Sequence, residues 1–188
     1  MRFMLKSVTA MSVCGALALL PAMSWAEDPV PVTVDGGTLN FEGSVITAAC
    51  ALSSGSAVQN INMGQARAAS LATAGTTLAT GKTFTISLED CDNSTFKNVA
   101  VTFSGTVDAD DASGLATGVN GGSGSAQNLS IRIFDEAGSQ VKLNEASGNT
   151  ALRAGSNTLN FTAKYHTEKG SVTAGDASAV ATYTLTYS

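Results

Sequence analysis

The sequence predicts an all-β domain, a sandwich or barrel of antiparallel strands. Three observations carry that expectation. Apolar residues recur at every second position in segment after segment, the period of a strand with one buried face. Clusters of Gly, Asn, Asp and Ser separate these segments. No stretch supports a long helix.

Residues 1–26 read as a secretory signal peptide. Arg2 and Lys6 open it, Val8 to Leu20 is mostly apolar, Pro21 breaks the run, and Ser24 and Ala26 supply the small residues of a cleavage site. The run is short for a membrane span. Cys14 stands behind Val13, where a lipoprotein signal needs a small residue. The mature chain is therefore expected to start at Glu27. An arm follows at residues 27–38, with Val30, Val32 and Val34 on one face and Gly36 and Thr38 continuing the same period. Pro29 and Pro31 each remove a backbone donor, so firm pairing is expected only from about Val32. Such an arm can complete a sheet, its own or another molecule's, and that choice separates a monomer from a polymer.

The domain proper is expected over residues 39–188. Leu39 to Ile46 alternates again and runs up to Cys50. Gly64 to Leu71 is Ala-rich but is followed by Thr and Gly, which limits it to a turn or short helix. Phe84, Ile86 and Leu88 share one face of a strand, as do Val99, Val101 and Phe103. Residues 108–127 are polar and Gly-rich, the composition of a long surface excursion. Strands resume with Leu129, Ile131 and Ile133, then across Leu159 to Tyr165. A last strand, Ala179 to Tyr187, places Tyr183, Leu185 and Tyr187 on one face and ends one residue before Ser188.

Charge and motifs exclude most chemistry. All fifteen acidic residues lie beyond residue 26 but only eight basic ones do, a net charge of −7, which opposes nucleic-acid binding. His166 is the only histidine; with Lys164 and Glu168 on its side of a strand, it reads as an ordinary surface residue. The Gly-rich run 118–124 lacks the strand, helix and Lys of a phosphate loop. Asp108, Asp110 and Asp111 lack the spaced ligands of a calcium loop and read as solvated. The sequons at Asn93, Asn128 and Asn160 carry little information, since two fall within strands. No catalytic, metal or cofactor site is expected. Without Cys14 the mature chain keeps two cysteines, Cys50 and Cys91. An even pair in an exported protein reads as one disulfide rather than two free thiols. It would close a loop of about 40 residues, worth roughly 4 kcal/mol.

Several runs together resemble the major structural pilins of chaperone–usher fimbriae, most closely the type 1 group. They are Val34 to Gly43, Ala48-Ala49-Cys50-Ala51, Met63 to Arg67, Leu88 to Asp92, Ile133 to Gly138, Phe161 to Tyr165, Gly175 fourteenth from the end, and the penultimate Tyr187. The resemblance implies an incomplete immunoglobulin-like sandwich lacking its last strand, with residues 27–38 as an N-terminal donor-strand extension. Val30, Val32, Val34, Gly36 and Thr38 would enter a neighbour's groove. Gly175, Tyr183, Leu185, Tyr187 and Ser188 would border that groove or meet a periplasmic chaperone, and Cys50–Cys91 would be the family disulfide. The implied partners are identical subunits, the chaperone, an outer-membrane usher and minor tip subunits, in a fimbrium at the bacterial surface. Two alternatives stand beside a shaft subunit: a monomeric secreted Ig-like binding module whose arm folds back, and a minor fimbrial adaptor.

Overall fold

The computed structural model describes residues 31–118 and 124–188; the expected signal peptide and Val30 lie outside the described residues. The chain divides into two units, Met1–Gly43 and Ser44–Ser188. In the first, residues 31–43 carry no regular structure, and Val32, Val34, Leu39 and Phe41 are exposed. The strand expected over Leu39 to Ile46 is not formed, and Val45 and Ile46 of the second unit are exposed as well. A strand exists through its ladder, and here the ladder begins only at Ala51, opposite Glu89.

The described residues of the second unit form ten strands: β1 (Ala51–Leu52), β2 (Thr76–Thr77), β3 (Lys82–Cys91), β4 (Asn98–Gly105), β5 (Leu115–Ala116), β6 (Ser130–Asp135), β7 (Gln140–Val141), β8 (Thr150–Ala151), β9 (Gly155–Thr167) and β10 (Ala181–Tyr187). Among the described residues the only helical pieces are α1 (Ser54–Ala57) and a 3-10 turn, Ala68–Leu71, the latter inside the stretch expected to hold a turn or short helix. The larger sheet runs β1-β3-β9-β6-β5, with β2 on β9 and β7 on β6; the smaller runs β10-β4-β8. All the ladders are antiparallel.

Alternation explains how the sheets meet. Ile86 and Leu88 of β3, Leu159 and Phe161 of β9, and Ile131 and Ile133 of β6 are buried in one cluster with Val99, Val101 and Phe103 of β4. Phe103 meets Phe161 edge-on at 5.0 Å between ring centres, a favourable aromatic geometry. This is a two-sheet sandwich with its core between the inner faces. Cys50 and Cys91 are bonded across 41 residues. A bulge between Leu88 and Cys91, with Asp90 at φ 51°, turns the end of β3 towards its partner cysteine.

Two expectations fail on the outer face of the larger sheet. His166 is 2 % exposed rather than a surface residue. It sits near the end of β9, flanked by Thr77 of β2 and Ser130 of β6, and its Nδ1 shares a 2.7 Å hydrogen bond with the Thr77 hydroxyl. Nor is the excursion simply solvated: Asp111, Gly114, Leu115 and Gly118 are buried. Arg132 binds Asp111 in a two-point pair, Nε to Oδ2 at 2.8 Å and Nη2 to Oδ1 at 3.0 Å. Ser130 donates to the same carboxylate at 2.7 Å and Ser113 at 2.6 Å. Burial pushes the Asp111 carboxyl up, but the bonds from Arg132, Ser113 and Ser130 outweigh it and hold the group well below the usual carboxylate range.

Candidate functional site

The smaller sheet is one strand short. β10 pairs with β4 alone, so its other edge offers a row of backbone N–H and C=O groups without a ladder partner among the described residues. Its side chains show the same gap. Tyr183, Leu185 and Tyr187 lie opposite Phe103, Val101 and Val99 of β4. The three β4 residues are 1–3 % exposed, whereas their β10 neighbours are only half-buried. Equal alternation with unequal cover means that a layer of side chains is missing beside β10.

The missing layer leaves a cleft of ≈ 1250 Å³. Its floor is the sandwich core itself, including Phe84, Ile86, Phe103, Ile131 and Ile133. One wall is residues 56–66, which belong to no strand. The other is a strap, residues 172–180, leading into β10. The Tyr183 hydroxyl of β10 donates to the Ser56 carbonyl of the first wall at 2.7 Å. Val58, Ile61 and Val180 remain exposed along them. An apolar floor beside an unpaired strand edge has the geometry that strand addition requires.

Residues 39–188 match the fimbrial protein family. The chain belongs to that family. It is 39 % identical over 178 residues to a type 1 fimbrial subunit of Salmonella typhimurium, covering 94 % of this chain and 96 % of the relative. It is equally identical over 181 residues to the type-1 fimbrial protein A chain of Escherichia coli, covering 95 % and 96 %. Among solved structures it resembles the P pilus rod subunit PapA, with TM-score 0.61 and 30 % identity over 75 % of this chain and 100 % of that one. It also resembles a subunit of a chaperone–usher pilus studied for rod uncoiling, with TM-score 0.68 and 28 % identity over 85 % and 100 %. The resemblance read from the sequence is met, and the fold is the incomplete immunoglobulin-like sandwich that it implied. This fimbrial chain is not an enzyme; its relatives are structural subunits.

Among the residues singled out in the sequence, Gly175 and Tyr183 line the cleft directly. Leu185 and Tyr187 continue the face of Tyr183 beyond the cleft lining, with Tyr187 against Phe96 at 6.4 Å. Ser188 is tethered: its backbone oxygen accepts from the N–H groups of Lys97 and Asn98, both at 2.8 Å. Gly175 has a steric reason to be glycine. A Cβ there would collide with the Gly124 carbonyl and stand 2.5 Å from the Ala126 nitrogen, so the strap crosses residues 124–126 in backbone contact. Val32, Val34, Gly36 and Thr38 sit in the exposed, irregular first unit. The walls themselves, residues 56–66 and 172–180, carry no alternation that would have revealed them. Outside the cleft, Asp111, His166 and Glu168 bring ligand atoms within 4.8 Å of one another. Arg132 already serves both carboxylates as their cation.

Proposed function

We propose that this chain is the repeating shaft subunit of an adhesive fimbria and that it polymerises by donor-strand exchange. The half-covered inner face of β10, beside an unpaired edge and an apolar floor, is the observation that carries the reading. The arm at residues 27–38 has the complementary chemistry, with Val30, Val32 and Val34 at strand period, Gly36 for a constricted position and Thr38 closing the segment. Identical subunits are then the main partners in a homopolymer. An open apolar cleft is an aggregation hazard until it is filled. A periplasmic chaperone that adds its own strand beside Tyr183, Leu185 and Tyr187 and engages Ser188 answers that hazard. An outer-membrane usher and minor tip subunits complete the route to the cell surface. The relatives named as type 1 fimbrial and P pilus rod subunits support this assignment.

The test compares the purified mature chain with Val34→Asp across a concentration series, by size-exclusion chromatography and electron microscopy. The parent chain is expected to form chains of increasing length. The variant, whose arm would carry a charge into an apolar floor, is expected to stay monomeric yet still cap polymers of the parent. A parent chain that stays monomeric at every concentration overturns the proposal and favours the self-completed binding module.

A further inference from the structure

The strap wall of the cleft has an unusual support. Among the described residues, the backbone hydrogen bonds that residues 172–180 make to other segments run to Gly118 and to residues 124–127. Asp176 N–H donates to the Gly124 carbonyl at 2.8 Å, Ala126 N–H to the Asp176 carbonyl at 2.9 Å and Gly118 N–H to the Ser178 carbonyl at 2.8 Å. Thr173 N–H donates to the Gln127 carbonyl at 3.3 Å. The wall therefore leans on the excursion rather than on either sheet.

The excursion, in turn, is fastened to the larger sheet. On the core side β5 pairs with β6, which places Leu115 opposite Ile131 and in the floor of the cleft. On the opposite side Asp111 is gripped by Arg132 and Ser130 of β6, and Arg132 also binds Glu168. Asp110 pairs with Lys169 at 2.6 Å. Residues 110–115 thus wrap the β6 edge, with an ion-pair clamp outside and a cleft residue inside.

We propose that Arg132 and Asp111 are positioning residues for strand capture: they hold residues 108–118, which meet the strap wall through the Gly118–Ser178 bond, and retention of the donor strand depends on a clamp that never touches it. The inference rests on the donor-strand reading above. Removing one partner of a buried hydrogen-bonded charge pair leaves the other uncompensated and loosens the segment that the pair held. The wall would then sample wider positions and release the strand sooner.

The experiment loads the full mature chain, kept at a concentration where size-exclusion chromatography shows monomer, with a fluorescent peptide of residues 27–38 and follows its release into excess unlabelled peptide. Release is compared for the parent, Arg132→Met, Arg132→Lys and Lys142→Met. Lys142 pairs with Glu145 on the surface, at 3.7 Å, rather than with Asp111, Arg132 or Glu168, and its variant is expected to match the parent. Arg132→Met is expected to release the peptide about tenfold faster, with Arg132→Lys restoring most of the difference. If Arg132→Met does not fold, Asp110→Asn and Lys169→Met test the exposed half of the clamp, with an expected acceleration of about threefold. Melting of the peptide-free chains separates the two possible roles. A variant that melts earlier but releases at the parent rate makes the clamp merely structural and overturns the proposal. A parent chain that takes up no peptide defeats the donor-strand reading instead.

Discussion

Shortening Val34 of the arm to alanine tests the donor-strand reading at a single side chain. Val34 is 80 % exposed in the first unit, so insertion into an apolar cleft would bury nearly all of it. The change removes two methylene equivalents, worth about 0.8 kcal/mol each, or about 1.6 kcal/mol together. Space left unfilled in the acceptor raises the loss to about 3 kcal/mol at most. Because 1.4 kcal/mol is a factor of ten, dissociation should quicken by roughly 15- to 150-fold, expressed mainly in the off-rate. The assay is fluorescence anisotropy of labelled arm peptides leaving a chain that lacks residues 27–38. Asp35→Asn is the companion variant. In a strand, Asp35 points away from the face that carries Val34, so its effect should stay below about threefold. Equal effects at Val34 and Asp35 would refute the alternating insertion, and an unchanged off-rate for Val34→Ala would refute burial.

Three further outcomes follow from the structure. Replacing Cys50 and Cys91 together by serine removes a bond spanning 41 residues; thermal unfolding should show a loss of about 4 kcal/mol. Asp111 has a depressed carboxyl in the folded state, so the stability it contributes is fully present above its ordinary value of 3.8 and is lost as pH falls below it. Urea midpoints measured from pH 7 to pH 2 should therefore fall more steeply at the acid end for the parent than for Asp111→Asn. Gly175→Ala forces a methyl against the backbone of residues 124–126; it should cost about 1–3 kcal/mol in thermal unfolding and weaken uptake of the arm peptide.

The long strands were legible because their chemistry is local. Polar and apolar residues alternate through Phe84 to Leu88 and through Val99 to Phe103, and the structure places Ile86, Leu88, Val99, Val101 and Phe103 in the core. Tyr183 and Leu185 were equally readable as inward-facing, but alternation reports which way a residue points and not whether anything lies over it. Half-burial of β10 is a tertiary fact. His166 failed for the complementary reason. Period two put it on the outer face of β9, which the sequence treats as solvent, yet Thr77 and the excursion's clamp to Arg132 and Glu168 close around that position. Asp111 belongs to the same failure, since its neighbours Asp108 and Asp110 gave the stretch the look of a hydrated loop. Residues 39–46 erred in the other direction: their alternation is clear, but strand pairing also needs a neighbour in register, and β3 supplies one only from Glu89.

A sandwich that keeps one strand position open must hold both sides of the gap without the ladder that would normally join them. On one side the wall at residues 56–66 leaves directly from β1 and α1. There the disulfide at Cys50 fastens the chain to β3, and the Ser56 hydroxyl accepts from the Ser87 N–H at 2.9 Å. On the other side the strap is carried by the excursion and its buried carboxylate. One device is covalent and the other electrostatic, and the disulfide and the Asp111–Arg132 pair both stand outside the cleft lining; inside it the Tyr183 hydroxyl reaches the Ser56 carbonyl. That placement follows from the geometry. Side chains inside would fill the space that an incoming strand needs, and backbone ladders along the rims would use the groups that must pair with it. The polar composition of residues 108–118 thus has a structural reason. An apolar excursion could cover the outer face, but it could not grip Arg132 and Ser130 through hydrogen bonds of defined length.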